Sequence, residues 1–215
     1  MSDPEDKNES WIPFLTVNVP PRFVIRTMRP ASAYAASLFG KQPDPDALVI
    51  DVVEHGVFGS GAHPTTQLCL TLLADMVRPE SRVLDLGCGS GILGIGAARL
   101  GAASVQAMDI EPAAVLHSQD NAVRNAVADR MDVRLGSIDT ADGPFDVIVA
   151  NLLLPIFKLL IGPIADALAP RGQVICSGVL DVQTDRLAAL ATAHGLTLVR
   201  SVSQRGWCAM VFAHA

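Results

Sequence analysis

The run Val83-Leu84-Asp85-Leu86-Gly87-Cys88-Gly89-Ser90-Gly91 has the residue types of a ligand cradle: an apolar strand, a carboxylate, then alternating glycines. Gly89, Gly91 and Gly94 meet the spacing G-x-G-x-x-G, in which missing Cβ atoms let a ligand approach the backbone. That spacing alone suggests a dinucleotide. Asp85 argues for another charge, because a carboxylate just ahead of the glycines repels a pyrophosphate and attracts a cation, directly or through water. S-adenosylmethionine carries an ammonium and a sulfonium. A second acid, Asp109, ends the apolar run that starts at Ser104. It lies about 20 residues past the loop, where a carboxylate can accept both hydroxyls of a ribose. Sites for NAD and for S-adenosylmethionine share that feature.

Another group precedes this one: Phe58-Gly59-Ser60-Gly61-Ala62-His63-Pro64-Thr65-Thr66. Gly59 and Gly61 permit the backbone to fold over a ligand, and Phe58 offers an apolar lid. His63 either caps the helix that Pro64 opens or faces the reaction centre as base or orienter. His55, His117, His194 and His214 show no metal-ligand spacing and read as surface or structural residues. Cys69, Cys88, Cys176 and Cys208 form no CxxC pair, so they read as buried, reduced thiols rather than a zinc site.

The elements that must hold these residues follow from periodicity. Strands are expected at Leu48–Glu54, Arg82–Leu86, Ser104–Ile110, Met131–Leu135, Phe145–Leu152, Gln173–Val179, Leu196–Val202 and Trp207–Ala213. Helices are expected from Pro64 to about Val77, over Ile92–Leu100, from Pro112 to about Val127, from Pro155 to about Leu168 and from Val182 to about His194. Alternation from Arg82 onward implies an α/β fold: a Rossmann-like seven-stranded, mostly parallel sheet with helices on both faces. The last two strands have only a short connection between them and imply a C-terminal antiparallel hairpin. Residues 1–10 read as a disordered tail and 11–50 as irregular. Arg22, Arg26 and Arg29 sit at helical spacing, but Val24 and Ile25 favour a strand; the three arginines read as a solvated face or as a basic patch turned to a substrate.

Composition narrows the function classes. The chain has 215 residues, of which 50% are hydrophobic and 18% charged, so it can bury a large core and is not mainly disordered. Pro155 and Lys158 interrupt the longest apolar stretch, Leu152–Ile161, which is far short of the roughly 18 residues of a membrane span. The polar start MSDPEDKNES is no secretory signal, and a cytoplasmic protein without membrane contact is expected. A net charge of −6 argues against a nucleic-acid partner.

The D-L-G-C-G-S-G loop, Asp109 and the strand order resemble the class I S-adenosylmethionine-dependent methyltransferases over about residues 50–215. Phe58–Thr66, Ala150-Asn151-Leu152-Leu153 and Gly206-Trp207-Cys208 sharpen the resemblance to the bacterial ribosomal-protein methyltransferases, which methylate lysine side chains and an α-amine of the large-subunit stalk-base protein. The resemblance implies a lid over residues 58–66 and cofactor contacts at Thr66, Gly87, Asp109 and Asn151, joined here by Phe58, Gly59, Asp85 and Gly89. Ser60 stands where the family usually has Thr. The family also carries a separate N-terminal substrate-binding domain, which residues 1–50 do not resemble. On this reading residues 1–50 are a tail and extension, and 51–215 the methyltransferase domain.

For an amine methyltransferase, Asn151 and His63 are the expected catalytic residues. The Asn151 side-chain carbonyl can accept a hydrogen bond from the attacking amine and aim its lone pair, and alignment of this kind is worth roughly 7–11 kcal/mol. The amine must be neutral: a lysine is about 0.1% neutral near neutral pH, a penalty of roughly 4 kcal/mol, and an α-amine costs far less. A protein amine is the expected acceptor, with a small-molecule amine the alternative. Asn151 is followed by Leu-Leu-Leu-Pro, without the aromatic that stacks a flipped base. The rival classes are an NAD(P)-dependent oxidoreductase, resting on Gly89, Gly91 and Gly94, and a non-catalytic cofactor-binding module.

Overall fold

The computed structural model describes residues 10–31, 46–53 and 60–215. Its larger sheet contains seven strands: β4 (Arg82–Leu86), β5 (Ser104–Asp109), β6 (Met131–Leu135), β7 (Phe145–Asn151), β8 (Leu168–Leu180), β9 (Leu196–Gln204) and β10 (Trp207–His214). The spatial order is β6-β5-β4-β7-β8-β10-β9. The pairs β6-β5, β5-β4, β4-β7 and β7-β8 are parallel, and β10 runs antiparallel to both β8 and β9. This is the expected sheet with its terminal hairpin. Among the described residues five helices flank it: α1 (Pro64–Met76), α2 (Ile92–Arg99), α3 (Pro112–Arg124), α4 (Leu154–Ala167) and α5 (Thr184–Ala193).

The period of two along the central strands assigns each side chain to a face. Val83, Val105, Val147 and Val149 pack with α1, α2 and α3 in one core. Leu84, Leu86, Ile148 and Ala150 pack with α4 and α5 in the other. Near-continuous burial, four of five residues in β4, is what a parallel sheet covered on both sides requires. The order reverses between β4 and β7, so the connections from these strands leave toward opposite faces. A crevice opens at their C-terminal ends.

Residues 11–31 depart from the expected irregular reading, while the strand expected from Leu48 is present; residues 32–45 lie outside the described residues. The strands β1 (Ser10–Val19) and β2 (Phe23–Ala31) form an antiparallel pair, and β3 (Leu48–Val53) joins β2 in parallel. The prolines concealed this. Pro13 stands at a register irregularity and Pro20-Pro21 in the turn, where no ladder hydrogen bond is lost. Val19, Phe23, Ile25, Ile50 and Val52 enter the core beside α1 and α2, so this small sheet is packed onto the large one. Of the three arginines, the structure gives side-chain partners for one. Arg26 is in a strand and holds Asp51 of β3 through two hydrogen bonds of 2.6 Å each, and the Arg29 side chain is outside the described set. Of the expected tail at residues 1–10, Ser10 begins β1 and residues 1–9 lie outside the described residues.

Candidate functional site

A cavity of about 780 Å³ occupies the crevice at the C-terminal ends of β4, β5 and β7. Its floor is the glycine loop. The Gly87 and Cys88 amides both donate to the Met108 carbonyl (2.8 and 3.0 Å), which fixes the loop against the end of β5. Gly87 has φ +75°, and a Cβ there would stand 2.6 Å from Leu152 Cδ2. Gly178, at the end of β8, has φ +86°, and a Cβ there would meet the Leu152 carbonyl oxygen at 2.5 Å. Only glycine lets these strand ends close on the loop after β7.

The expected site residues fall into distinct places. Asp109 lines the cavity, and backbone amides hold both of its carboxylate oxygens: Gly89 N–H donates to Oδ2 (2.9 Å) and Glu111 N–H to Oδ1 (3.0 Å). Gly87 and Gly89 line the cavity beside it. Asn151 is the last residue of β7, opposite Ser177 of β8, and its side chain makes no hydrogen bond to other described residues. Thr66 lies in the first turn of α1, 1% exposed, with its hydroxyl lacking any partner among the described residues. Phe58 and Gly59 lie outside the described residues.

Asp85 is not in the cavity wall. By strand parity its side chain points under α2, where Oδ2 accepts from Gly94 N–H at 2.8 Å. It is 1% exposed and Oδ1 has no partner. Burial pushes its carboxyl up to about 7, opposed by the Gly94 hydrogen bond and reinforced by the charge of Asp109.

His63 caps α1. Its Nδ1 accepts from Thr65 N–H (3.4 Å) and lies 2.7 Å from Thr65 Oγ1. Its ring meets Trp207 edge-on, with centroids 4.8 Å apart, and both rings line the cavity. The four cysteines are buried; burial raises the Cys69 thiol to about 12 and drives Cys88 and Cys176 upward as well, so Cys88 in the cavity wall is a poor nucleophile. Among the described residues no group of three His, Cys, Asp or Glu is placed to hold a metal ion, and no helix is long and apolar enough to cross a membrane.

Sequence reasoning missed several parts of this site. The first turns of α4 supply an apolar wall, Leu153, Ile156 and Leu159, and Gly178 and Ile110 complete the lining. Behind it are two buried asparagines, Asn121 of α3, which holds the Ser90 carbonyl, and Asn125, the residue that caps the C-terminus of α3. Their spacing of four along a helix and its cap, with a Pro at the helix start, was the available signal.

The cavity thus has two unlike ends. Carboxylates gather at β5, and an amide with two aromatic rings gathers near β7 and β10. One buried oxygen of the wall, Thr66 Oγ1, has no hydrogen-bond partner among the described residues, and neither have Asp85 Oδ1 and Ser118 Oγ outside the wall. Such atoms are costly without a ligand or water. A ribose-bearing molecule with a cationic, amino-acid-like tail fits this donor set.

Comparison with known proteins agrees. The profile of "Ribosomal protein L11 methyltransferase (PrmA)" matches residues 33–215. The chain belongs to the ribosomal protein L11 methyltransferase family. A relative of that name from Aliivibrio fischeri is 44% identical over 167 residues, covering 77% of this chain and 56% of its own. One from Burkholderia cenocepacia is 45% identical over 149 residues, covering 69% and 48%. This chain therefore spans about half the length of the curated relatives it matches. The crystal structure of a ribosomal protein L11 methylase from Lactobacillus delbrueckii subsp. bulgaricus superposes with a TM-score of 0.80 at 30% identity, covering 93% of this chain and 98% of that one. A TehB-like S-adenosylmethionine-dependent methyltransferase from Corynebacterium glutamicum, at 18% identity and TM-score 0.56, shares the fold. Membership implies S-adenosylmethionine as the cofactor, and the donor set of the cavity fits it.

Proposed function

We propose that this family member transfers a methyl group from S-adenosylmethionine to an amine nitrogen of a protein, a lysine side chain or an α-amine, with ribosomal protein L11 as the first acceptor to test. The observation that carries the reading is Asn151, whose unpartnered amide faces the cavity at the strand-order reversal, across from Asp109. Bound S-adenosylmethionine supplies an electrophilic methyl on sulfur.

The chain's own residues do the rest. Asp109, preset by two backbone amides, accepts the ribose hydroxyls. Thr66, whose hydroxyl has no partner among the described residues, receives the carboxylate end in the first turn of α1, where the helix dipole favours negative charge. Asp85 balances the ammonium through water from beneath the loop. The Asn151 carbonyl oxygen accepts a hydrogen bond from the neutral amine and aims its lone pair along the displacement axis. His63 and Trp207, with Leu153 and Ile156, exclude water from the acceptor's path. The apolar wall also favours the neutral amine over the ammonium. The sheet of β1, β2 and β3 serves as an extension that braces the chain just ahead of α1: Thr27 Oγ1 donates to the Ser60 carbonyl (3.1 Å), and Ile25 packs on Gly61.

The test uses S-adenosylmethionine labelled in the methyl group, with purified ribosomal protein L11 and, separately, extract from a strain lacking the gene. Label in a protein, located by mass spectrometry on an amine, is the expected result. Label confined to small molecules would overturn the protein acceptor. Asn151→Ala should lower kcat at least about 100-fold in the folded protein. Unchanged turnover in that variant removes Asn151 from the mechanism.

A further inference from the structure

Three buried side chains, two on α3 and one at its C-cap, touch segments far apart in the chain. Ser118, Asn121 and Asn125 are each 1% exposed or less. Asn125 grips β3: Oδ1 accepts from Asp51 N–H (2.9 Å), and Nδ2 donates to the Asp51 carbonyl (2.7 Å). Asn121 divides its amide between two segments. Its Oδ1 accepts from Val53 N–H (3.0 Å) and its Nδ2 donates to the Ser90 carbonyl (3.0 Å).

Both partners of Asn121 lead to the cavity. Ser90 lies between Gly89, whose amide holds Asp109, and Gly91, where a Cβ would clash with the Ser118 hydroxyl. Val53 ends β3, whose other edge is paired with β2, and the chain from there runs on to Ser60, His63 and Thr66. Asn121 is thus the one described side chain that hydrogen-bonds the glycine loop and β3 together.

We propose that Asn121 is a positioning residue for the cofactor, coupling the glycine loop to β3 so that binding at the loop and order in the N-terminal sheet rise together. The physical reason is that both its bonds are buried. Moving the loop without the strand would strand a polar group away from water, so the two segments shift as one. The coupling is reciprocal: whatever steadies β3 tightens the cofactor site, and the reverse. The inference rests on the cofactor reading of the cavity and adds the path by which residues 10–53 take part in it.

The experiment uses the full chain and S-adenosylhomocysteine. Hydrogen exchange of the wild type is expected to slow at residues 48–53 as well as at 87–94 when this ligand is added. Protection confined to 87–94 would overturn the coupling, with no variant needed. Asn121→Leu is expected to weaken binding about tenfold by calorimetry, the loss of roughly one buried hydrogen bond. Asn125→Leu, which cuts the two bonds to Asp51 of β3 and one to the Asn121 carbonyl (2.8 Å) but leaves the bond to the glycine loop in place, is expected to lower Tm comparably and to weaken binding less, by about twofold. Equal Kd losses in the two variants, or an unchanged Kd in Asn121→Leu, would overturn the proposal. Failure of the wild type to bind S-adenosylhomocysteine would instead overturn the cofactor reading, and this proposal with it.

Discussion

Asp85 ties folding, protonation and binding together. Ligand-free, its carboxyl sits at about 7 because burial disfavours the charge. A cationic ligand needs it ionised. With the bound form ionised throughout, affinity tracks the ionised fraction of the free protein: about 3% at pH 5.5 and about 90% at pH 8, a gain of roughly 30-fold. Titration calorimetry of S-adenosylhomocysteine in two buffers of different ionisation enthalpy measures this and the proton released, about half a proton near pH 7 beyond that of Asp85→Asn. The stability sign is opposite. The folded carboxyl is raised above its unfolded value of 3.8, so its stabilisation is complete below that value and is lost as pH rises through about 7, up to about 4 kcal/mol in all. Asp85→Asn should therefore raise the ligand-free Tm at pH 8, weaken binding there and flatten the profile. A wild-type affinity constant between pH 5.5 and 8, matched by Asp85→Asn, would refute the reasoning.

Two further outcomes follow from the geometry of the site. His63→Asn, which keeps a capping side chain, should retain kcat within a few-fold if the ring only caps and covers, whereas His63→Ala should cost about 1 kcal/mol in a denaturant melt; a 100-fold loss of kcat in a well-folded His63→Asn would place the histidine in the chemistry. Gly178→Ala should lower stability by more than about 2 kcal/mol, combining a disfavoured φ with a contact on the Leu152 backbone, while Gly195→Ala, at φ +76° with nothing within 4 Å, should cost only about 1–2 kcal/mol; equal losses would show that the Leu152 contact is immaterial.

The large sheet was legible because its strands are covered on both faces and separated by helices with clear starts. Pro64, Pro112 and Pro155 each stand in the first turn of a helix. Asp109 was legible for a related reason: a strand end at a fixed distance past a glycine loop has one place to be. The small N-terminal sheet was not. Its prolines imitate a loop, and its β3 partner is separated from β2 by residues that carry no pattern of their own.

The sequence by itself determined the strand order's raw material, the glycine loop, the acid that follows it and the asparagine that ends β7, because each is a local pattern of a few residues. Only the tertiary structure decided which way side chains face. Strand parity sends Asp85 beneath α2 instead of into the cavity, and packing turns His63 into a cap against Trp207. The Asn121 amide meets partners 31 and 68 positions away. Such choices depend on which elements become neighbours when two faces of one sheet are buried, and no local window contains that information.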